Sequence, residues 1–520
     1  MLSATMSDRR AWREWNDQRP LQWWLKPAAL IVFVLALTAI RIWAGGHAWL
    51  SEDEAYYRLW GLNPAAGYYD HPPMIGWWIA AGQALVGDKA LGVRLFGILA
   101  TALGSLALWR TGVLLHGHRA AGWAVLFFNA TILIGIGSLI ATPDTPSVLF
   151  WGLTIWALAE WLDRGNANWF LAVGLFAGLG LISKYSVLFL GAGIILWLLV
   201  SPRARRAFAT WQLWAGGILA MLVTAPVIWW NATHDWASFV KQFGRAVPHQ
   251  WTGRFIGEFI GAELGLLNPA IAMIALVGIG IAVKRTVMNR EEAWSLLLCS
   301  SLPFFFYLLF HSLHARVQAN WPAPLFPALV LMAAFVAADA EGREGLLAKL
   351  WRGLSKFGVP LGVAVSLVIY VHAVSPLTGS LARKDPTFQL RGWQEIASEL
   401  GDMAQREGAA WVATSAYGMT GQLAFALEQA GSDLAVYQLD ERIRYAMAPA
   451  PDPAIVARPA LYVAVARRDH ADTLRARFAR VERIGEIART VRGVRLETLR
   501  VYRLVGPRGG PDVVFSQDTR

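Results

Sequence analysis

SEDEAYYRLWGLNPAAGYYDHPPMIGWW, residues 51 to 78, decides how this chain is read. It follows a long apolar run and gathers Glu52, Asp53, Glu54, Asp70, His71 and four tyrosines into a segment too polar to cross a bilayer. Pro72 and Pro73 exclude a regular helix through them and fix the chain direction. Acids placed directly outside a membrane span point to chemistry at the membrane surface.

The rest of the composition agrees. Of 520 residues, 56% are hydrophobic and only 16% charged, outside the range of soluble globular proteins. Many of the 27 tryptophans recur at the ends of apolar runs, where an amphipathic ring sits at headgroup level. The net charge of +11 collects in short inter-span loops and the C-terminal tail, which indicates membrane orientation and anionic lipid rather than nucleic acid. The single Cys299 excludes a disulfide frame and a thiolate metal cluster.

A helix needs about 20 apolar residues to cross the hydrocarbon core. Spans are expected at 27–44, 93–115, 120–138, 146–162, 168–183, 185–200, 211–230, 262–284, 294–311, 321–340 and 356–374, about 11 in all, within a range of 11–13. Met74 to Val86 is too short to cross and reads as an interfacial helix. With residues 1–26 as a cytoplasmic tail ahead of an uncleaved anchor, every strongly basic short loop falls inside, including Arg203, Arg205 and Arg206. Lys184 breaks the run 168–200, because a cation at mid-membrane is costly unless it faces a polar cavity. The outer face then carries loop 45–92, the turn at Asp144, the Lys184 turn, loops 231–261 and 311–320, and everything past about 375.

Residues 27–374 therefore read as a polytopic helical bundle, mainly α, whose first outer loop holds surface helices. Residues 375–520 read as a soluble α/β domain, with helices at 390–406 and 421–430 and strands at 411–415, 434–438, 460–466 and 499–504.

Asp53 and Glu54 can take the proton of a hydroxyl as a bond forms to it, and also read as a solvated helix start. His71, flanked by Asp70 and a rigid Pro-Pro, can meet a phosphate or stay as polar surface. Tyr56, Tyr57 and Tyr69 can stack on a sugar.

The acidic pair after the first span with Tyr56 and Tyr57, the Tyr69–Pro73 signature, Gly92-Val93-Arg94 opening the second span and Thr142-Pro143-Asp144 after the third resemble the protein O-mannosyltransferase and aminoarabinose transferase superfamily. The resemblance covers roughly residues 27–340. It implies a membrane glycosyltransferase of the C fold, a polyprenyl-phosphate sugar donor, an active site facing away from the cytoplasm, and Asp53 as the essential first-loop aspartate. The position of His71 is a lysine in the aminoarabinose branch, where it contacts the lipid phosphate. Asp144 is implied to orient the sugar or a cationic partner, and it reads equally as a helix cap.

Lys184 is expected to neutralise the donor phosphate or to snorkel to the interface. Lys241, Arg245, Arg254, His311, His314 and Arg316 can complete a phosphate clamp, and part of this set reads as plain surface. His311 and His314 are spaced for a metal, but no paired carboxylate is near and the resembling branches use no obligatory metal, so no metal or cofactor is expected.

The function expected is inverting transfer of one sugar from a polyprenyl-phosphate donor to a lipid A, other glycan or protein acceptor at the periplasmic face of a bacterial inner membrane. The C-terminal domain is expected on the same side. A polysaccharide polymerase or ligase using a lipid-pyrophosphate donor is the alternative, and a secondary transporter a more distant one.

Overall fold

The computed structural model describes residues 20–248 and 250–516. Residues 1–19 of the expected cytoplasmic tail lie outside the described residues. The chain divides into two compact units. The first holds the described residues up to Trp43, Asp70–Ile75 and Phe96–Ile369; the second holds Ala44–Tyr69, Gly76–Leu95 and the described residues from Tyr370 onward.

The first unit is built of apolar helices. Among the described residues of the whole chain, seven helices are long and apolar enough to cross a membrane: Pro27–His47, Ala90–His116, Trp211–Thr233, Pro269–Asn289, Glu292–His311, Ala323–Glu341 and Leu346–Val374. Of the other expected spans, 146–162 forms one continuous helix, Asp144–Arg164, and the rest are shorter or broken. The 120–138 run divides into His118–Ala130 and Ile132–Gly137, with Thr131 extended between them. The 262–284 run divides into Arg254–Leu266 and Pro269–Asn289, because Asn268 accepts a hydrogen bond from Ala270 N and Pro269 starts a new helix. The break at Lys184 falls where its charge predicts: Trp169–Leu181 ends, Lys184 is extended, and a short turn leads into Leu188–Val200.

Lipid tails are as apolar as leucine, so close packing rather than hydrophobicity joins such helices. A Cβ at Gly174 would lie 2.0 Å from Gly216 O, which lets the Trp169–Leu181 and Trp211–Thr233 backbones touch. Some buried polar groups are paired within the bundle, as Arg41 is with Asn129 (3.0 Å) and His116 with Asp339 (2.8 Å).

The second unit has a five-stranded sheet in the order β2-β1-β3-β5-β4, with β1 Trp411–Thr414, β2 Ala435–Gln438, β3 Ala460–Val465, β4 Phe478–Val491 and β5 Val494–Pro507. The first three strands run parallel and the last two form an antiparallel hairpin. Trp393–Glu407 places Trp393, Ile396, Leu400 and Met403 against Val412, Leu461 and Val501, an apolar stripe at helical spacing laid on the sheet. Tyr417–Gln429 packs on Glu52–Leu62 so closely that a Cβ at Gly421 would lie 2.6 Å from Tyr56 N. Gln422 locks this contact, accepting from Trp49 Nε1 at 2.9 Å and donating to Leu50 O at 2.8 Å.

Strand β4 is absent from the sequence expectation. Its residues FARVERIGEIARTV alternate charge with small apolar groups, since one face is solvated at the sheet edge. Arg492 and Gly493, both at positive φ, make the two-residue turn into β5.

Candidate active site

In the second unit, Ser51 caps the Glu52–Leu62 helix in a reciprocal box with Glu54: each side chain accepts from the other's backbone N–H. Glu54 is fully buried, and Arg94 spans its carboxylate with Nε–Oε1 at 2.7 Å and Nη2–Oε2 at 2.8 Å. Asp53, one residue earlier, is exposed, and its Oδ1 accepts the Tyr417 hydroxyl at 2.9 Å. Of the two expected catalytic carboxylates, one is thus presented to solvent and one is enclosed. Tyr56 lies edge-on to Tyr417 and donates its hydroxyl to Arg444 O at 3.1 Å. The Arg444 guanidinium sits over the rings of Tyr417 and Tyr69, and Tyr57 packs on Trp60.

In the first unit, a cavity of about 500 Å³ is lined by His71, Lys184, Gln242 and Arg245 at polar positions and by Leu188, Phe189, Phe304 and Tyr307 at apolar ones. Asp144 opens its helix rather than capping it, and its buried carboxylate accepts from Lys184 and from Asn320 Nδ2 at 2.6 Å. Asp70 is likewise buried, pairs with Lys241, and takes Gln242 on its carbonyl. The bond from Met74 N to Ile182 O, 3.0 Å, ties the Asp70–Ile75 segment to the Lys184 break.

His71 faces this cavity amid fixed charges. Burial pushes its imidazole down to about 3, with Asp70 and Asp144 pulling it up and Lys184 and Arg245 pressing it lower. That shift favours the neutral imidazole, which can offer an N–H donor to an anion.

The remaining expected clamp residues do not line this cavity. Arg316 and Arg254 both turn to Glu258, at 2.8 and 4.0 Å. His314 stands 4.6 Å from the His311 ring and packs on Phe310.

Residues 70–230 match the family described as dolichyl-phosphate-mannose-protein mannosyltransferase. The lipid A galacturonosyltransferase RgtD of Rhizobium johnstonii is 26% identical over 384 residues, 73% of this chain and 78% of that protein. An undecaprenyl phosphate-α-4-amino-4-deoxy-L-arabinose arabinosyl transferase of Pseudomonas paraeruginosa is 31% identical over 335 residues, 60% of this chain and 57% of that one. The crystal structure of ArnT from Cupriavidus metallidurans bound to undecaprenyl phosphate matches with a TM-score of 0.65 at 13% identity, covering 93% of this chain and 100% of ArnT. The chain has the C fold of ArnT.

Several groups of the first-unit cavity and of the Asp53 surroundings escape a linear reading. Gln242 and Tyr307 lie in stretches with no signature. Tyr185 adjoins the Lys184 break, and its hydroxyl meets Ser238 Oγ at 3.0 Å. Tyr417, the partner of Asp53, is 364 residues away in sequence. The enclosure of Glu54 did leave a signal: Ser51-Glu52-Asp53-Glu54 is a capping-box pattern, which marks the fourth residue for the helix start.

Proposed function

We propose that the protein moves one sugar from a polyprenyl-phosphate carrier to a hydroxyl or phosphate of a lipid A, other glycan or protein acceptor, with inversion. The observation that carries this reading is the first-unit cavity, with Lys184, Arg245 and neutral His71 among its polar groups and Phe189, Phe304 and Tyr307 among its apolar ones. That combination suits a phosphate attached to an isoprenoid chain. The related transferases support it by name, as does undecaprenyl phosphate bound in ArnT.

In this reading Lys184 and Arg245 hold the phosphate and His71 donates one hydrogen bond to it. The acceptor oxygen attacks the anomeric carbon while the carbon–oxygen bond to phosphate breaks, and polyprenyl phosphate leaves with the bond electrons. Asp53 takes the acceptor proton. Glu54 is a positioning residue, since Arg94 and Ser51 engage its carboxylate. Asp144 and Asp70 hold Lys184 and Lys241 in place.

The topology proposed has 11 crossings, with the tail in the cytoplasm and Asp53, the cavity and the C-terminal domain on the periplasmic side. The charge distribution of the short loops supports it. Lipid and glycan mass spectrometry of cells carrying wild type against Asp53→Asn tests the reaction. A mass difference of one sugar identifies donor and acceptor; identical profiles at equal protein level refute the assignment.

A further inference from the structure

The second unit contains a cavity of about 430 Å³ that the proposed reaction leaves unassigned. Its position is determined by the order of the strands. From β1 the chain crosses to β2 on one side, then returns to β3 on the other, so the sheet has a switch point between β1 and β3. Ligands of open α/β sheets bind outside the carboxyl ends of strands at such a point. Ser415–Met419, leaving β1, and Val465–Arg468, leaving β3, form its walls.

The charges are unevenly committed. Asp440 is paired with Arg477 at 2.8 Å, Glu441 with Arg444 at 2.7 Å, and Glu497 with Arg489 at 2.7 Å and Arg467 at 3.0 Å. Arg468 and His470 line the same cavity, are exposed, and form no ion pair among the described residues. The Tyr417–Gln429 helix starts at this wall after Ala416, which supplies no side-chain cap, so its first N–H groups add positive character. The remaining acid, Glu52, has its pKa raised by burial and by Glu497 and Asp53, with Arg489 and Arg468 opposing, and retains a proton more readily than a surface glutamate. Tyr417 contributes an aromatic wall, and its hydroxyl is bonded to Asp53.

We infer that this cavity is the acceptor subsite and binds a phosphorylated saccharide, the sugar against Tyr417 and the phosphate toward Arg468 and His470. The inference rests on the transferase reading above and extends it. It gives the C-terminal domain the task of selecting the acceptor and delivering its hydroxyl beside Asp53.

The test is saturation-transfer NMR on the full-length chain in detergent micelles, with glucosamine 1-phosphate as probe and glucosamine and inorganic phosphate as separate arms. Wild type is expected to transfer saturation to the phosphosugar protons and much less to glucosamine. Arg468→Glu and His470→Glu, both at exposed positions, are expected to weaken phosphosugar binding about tenfold or more. Undecaprenyl phosphate retained by the same variants in native mass spectrometry shows that they are folded. Persistence of the signal in both variants overturns the assignment, as does equal binding of glucosamine or full displacement by equimolar inorganic phosphate. Displacement by micellar lipid A assigns the saccharide to a lipid headgroup, and its failure to displace assigns it to a free sugar phosphate. A wild type that binds the phosphosugar but neither binds undecaprenyl phosphate nor transfers sugar refutes the transferase reading alone.

Discussion

Arg94 holds Glu54 through two parallel bonds, and neither side chain is open to solvent. The same guanidinium also donates to the carbonyls of Gly45, Ala48 and Trp49, at 3.0, 2.6 and 2.7 Å, so one residue at the start of a long helix organises the whole approach to Asp53. Removing one partner of a buried pair leaves the other charge without compensation, which costs about 3–5 kcal/mol. Glu54→Ala and Arg94→Ala are each expected to lower the thermal unfolding temperature, with Glu54→Gln in between. An inactive Glu54→Gln with unchanged melting would assign Glu54 to the chemistry itself.

Asp53 should behave in the opposite way. It is exposed, and Asp53→Asn keeps its shape and its acceptor for the Tyr417 hydroxyl. Unfolding temperature should stay unchanged while kcat drops about 10²- to 10⁴-fold, the range for loss of a general base. Steady-state transfer kinetics beside a melting curve separate the two effects.

Lys184 carries two tasks, and a double variant separates them. Lys184→Ala strands the buried Asp144 carboxylate and removes a phosphate contact, so both stability and donor affinity fall. Adding Asp144→Asn removes the stranded charge and restores folding. Donor affinity should remain about 10- to 100-fold below wild type, the scale of one lost charge-assisted hydrogen bond. Titration with undecaprenyl phosphate reads this directly.

His71 sets a pH signature. Its folded pKa, about 3, lies below the ordinary histidine value of 6.5, so the unfolded chain binds the proton first. Stability is therefore lost as pH falls from 6.5 toward 3, and His71→Gln should flatten that acid limb in melting curves measured across the window. Between pH 7 and 5, donor binding should show no step from His71, because the imidazole remains a neutral donor throughout. A binding transition near pH 6.5 that disappears in His71→Gln would contradict this.

Much of the bundle was legible because crossing a membrane demands long apolar runs, and those runs reappear as helices within a few residues. The Lys184 break was legible for the same reason: an ammonium group cannot be left in hydrocarbon. What the linear order conceals is pairing. Nothing near Asp70 announces Lys241, which is 171 residues on, and nothing in the acidic triplet separates exposed Asp53 from enclosed Glu54 except the serine three positions before it. β4 stayed hidden because an edge strand with a solvated face lacks a continuous apolar run like that of β3.

The contact between Tyr417 and Asp53 also bears on biogenesis. Ribosomes add roughly 5–20 residues per second, so the 364 residues between them take roughly 20–70 s to make. Throughout that interval the Glu52–Leu62 helix waits without the surface it packs on. Any nascent chain cut short before the Tyr417–Gln429 helix leaves Glu52–Leu62 without its packing partner and Asp53 without the Tyr417 hydroxyl.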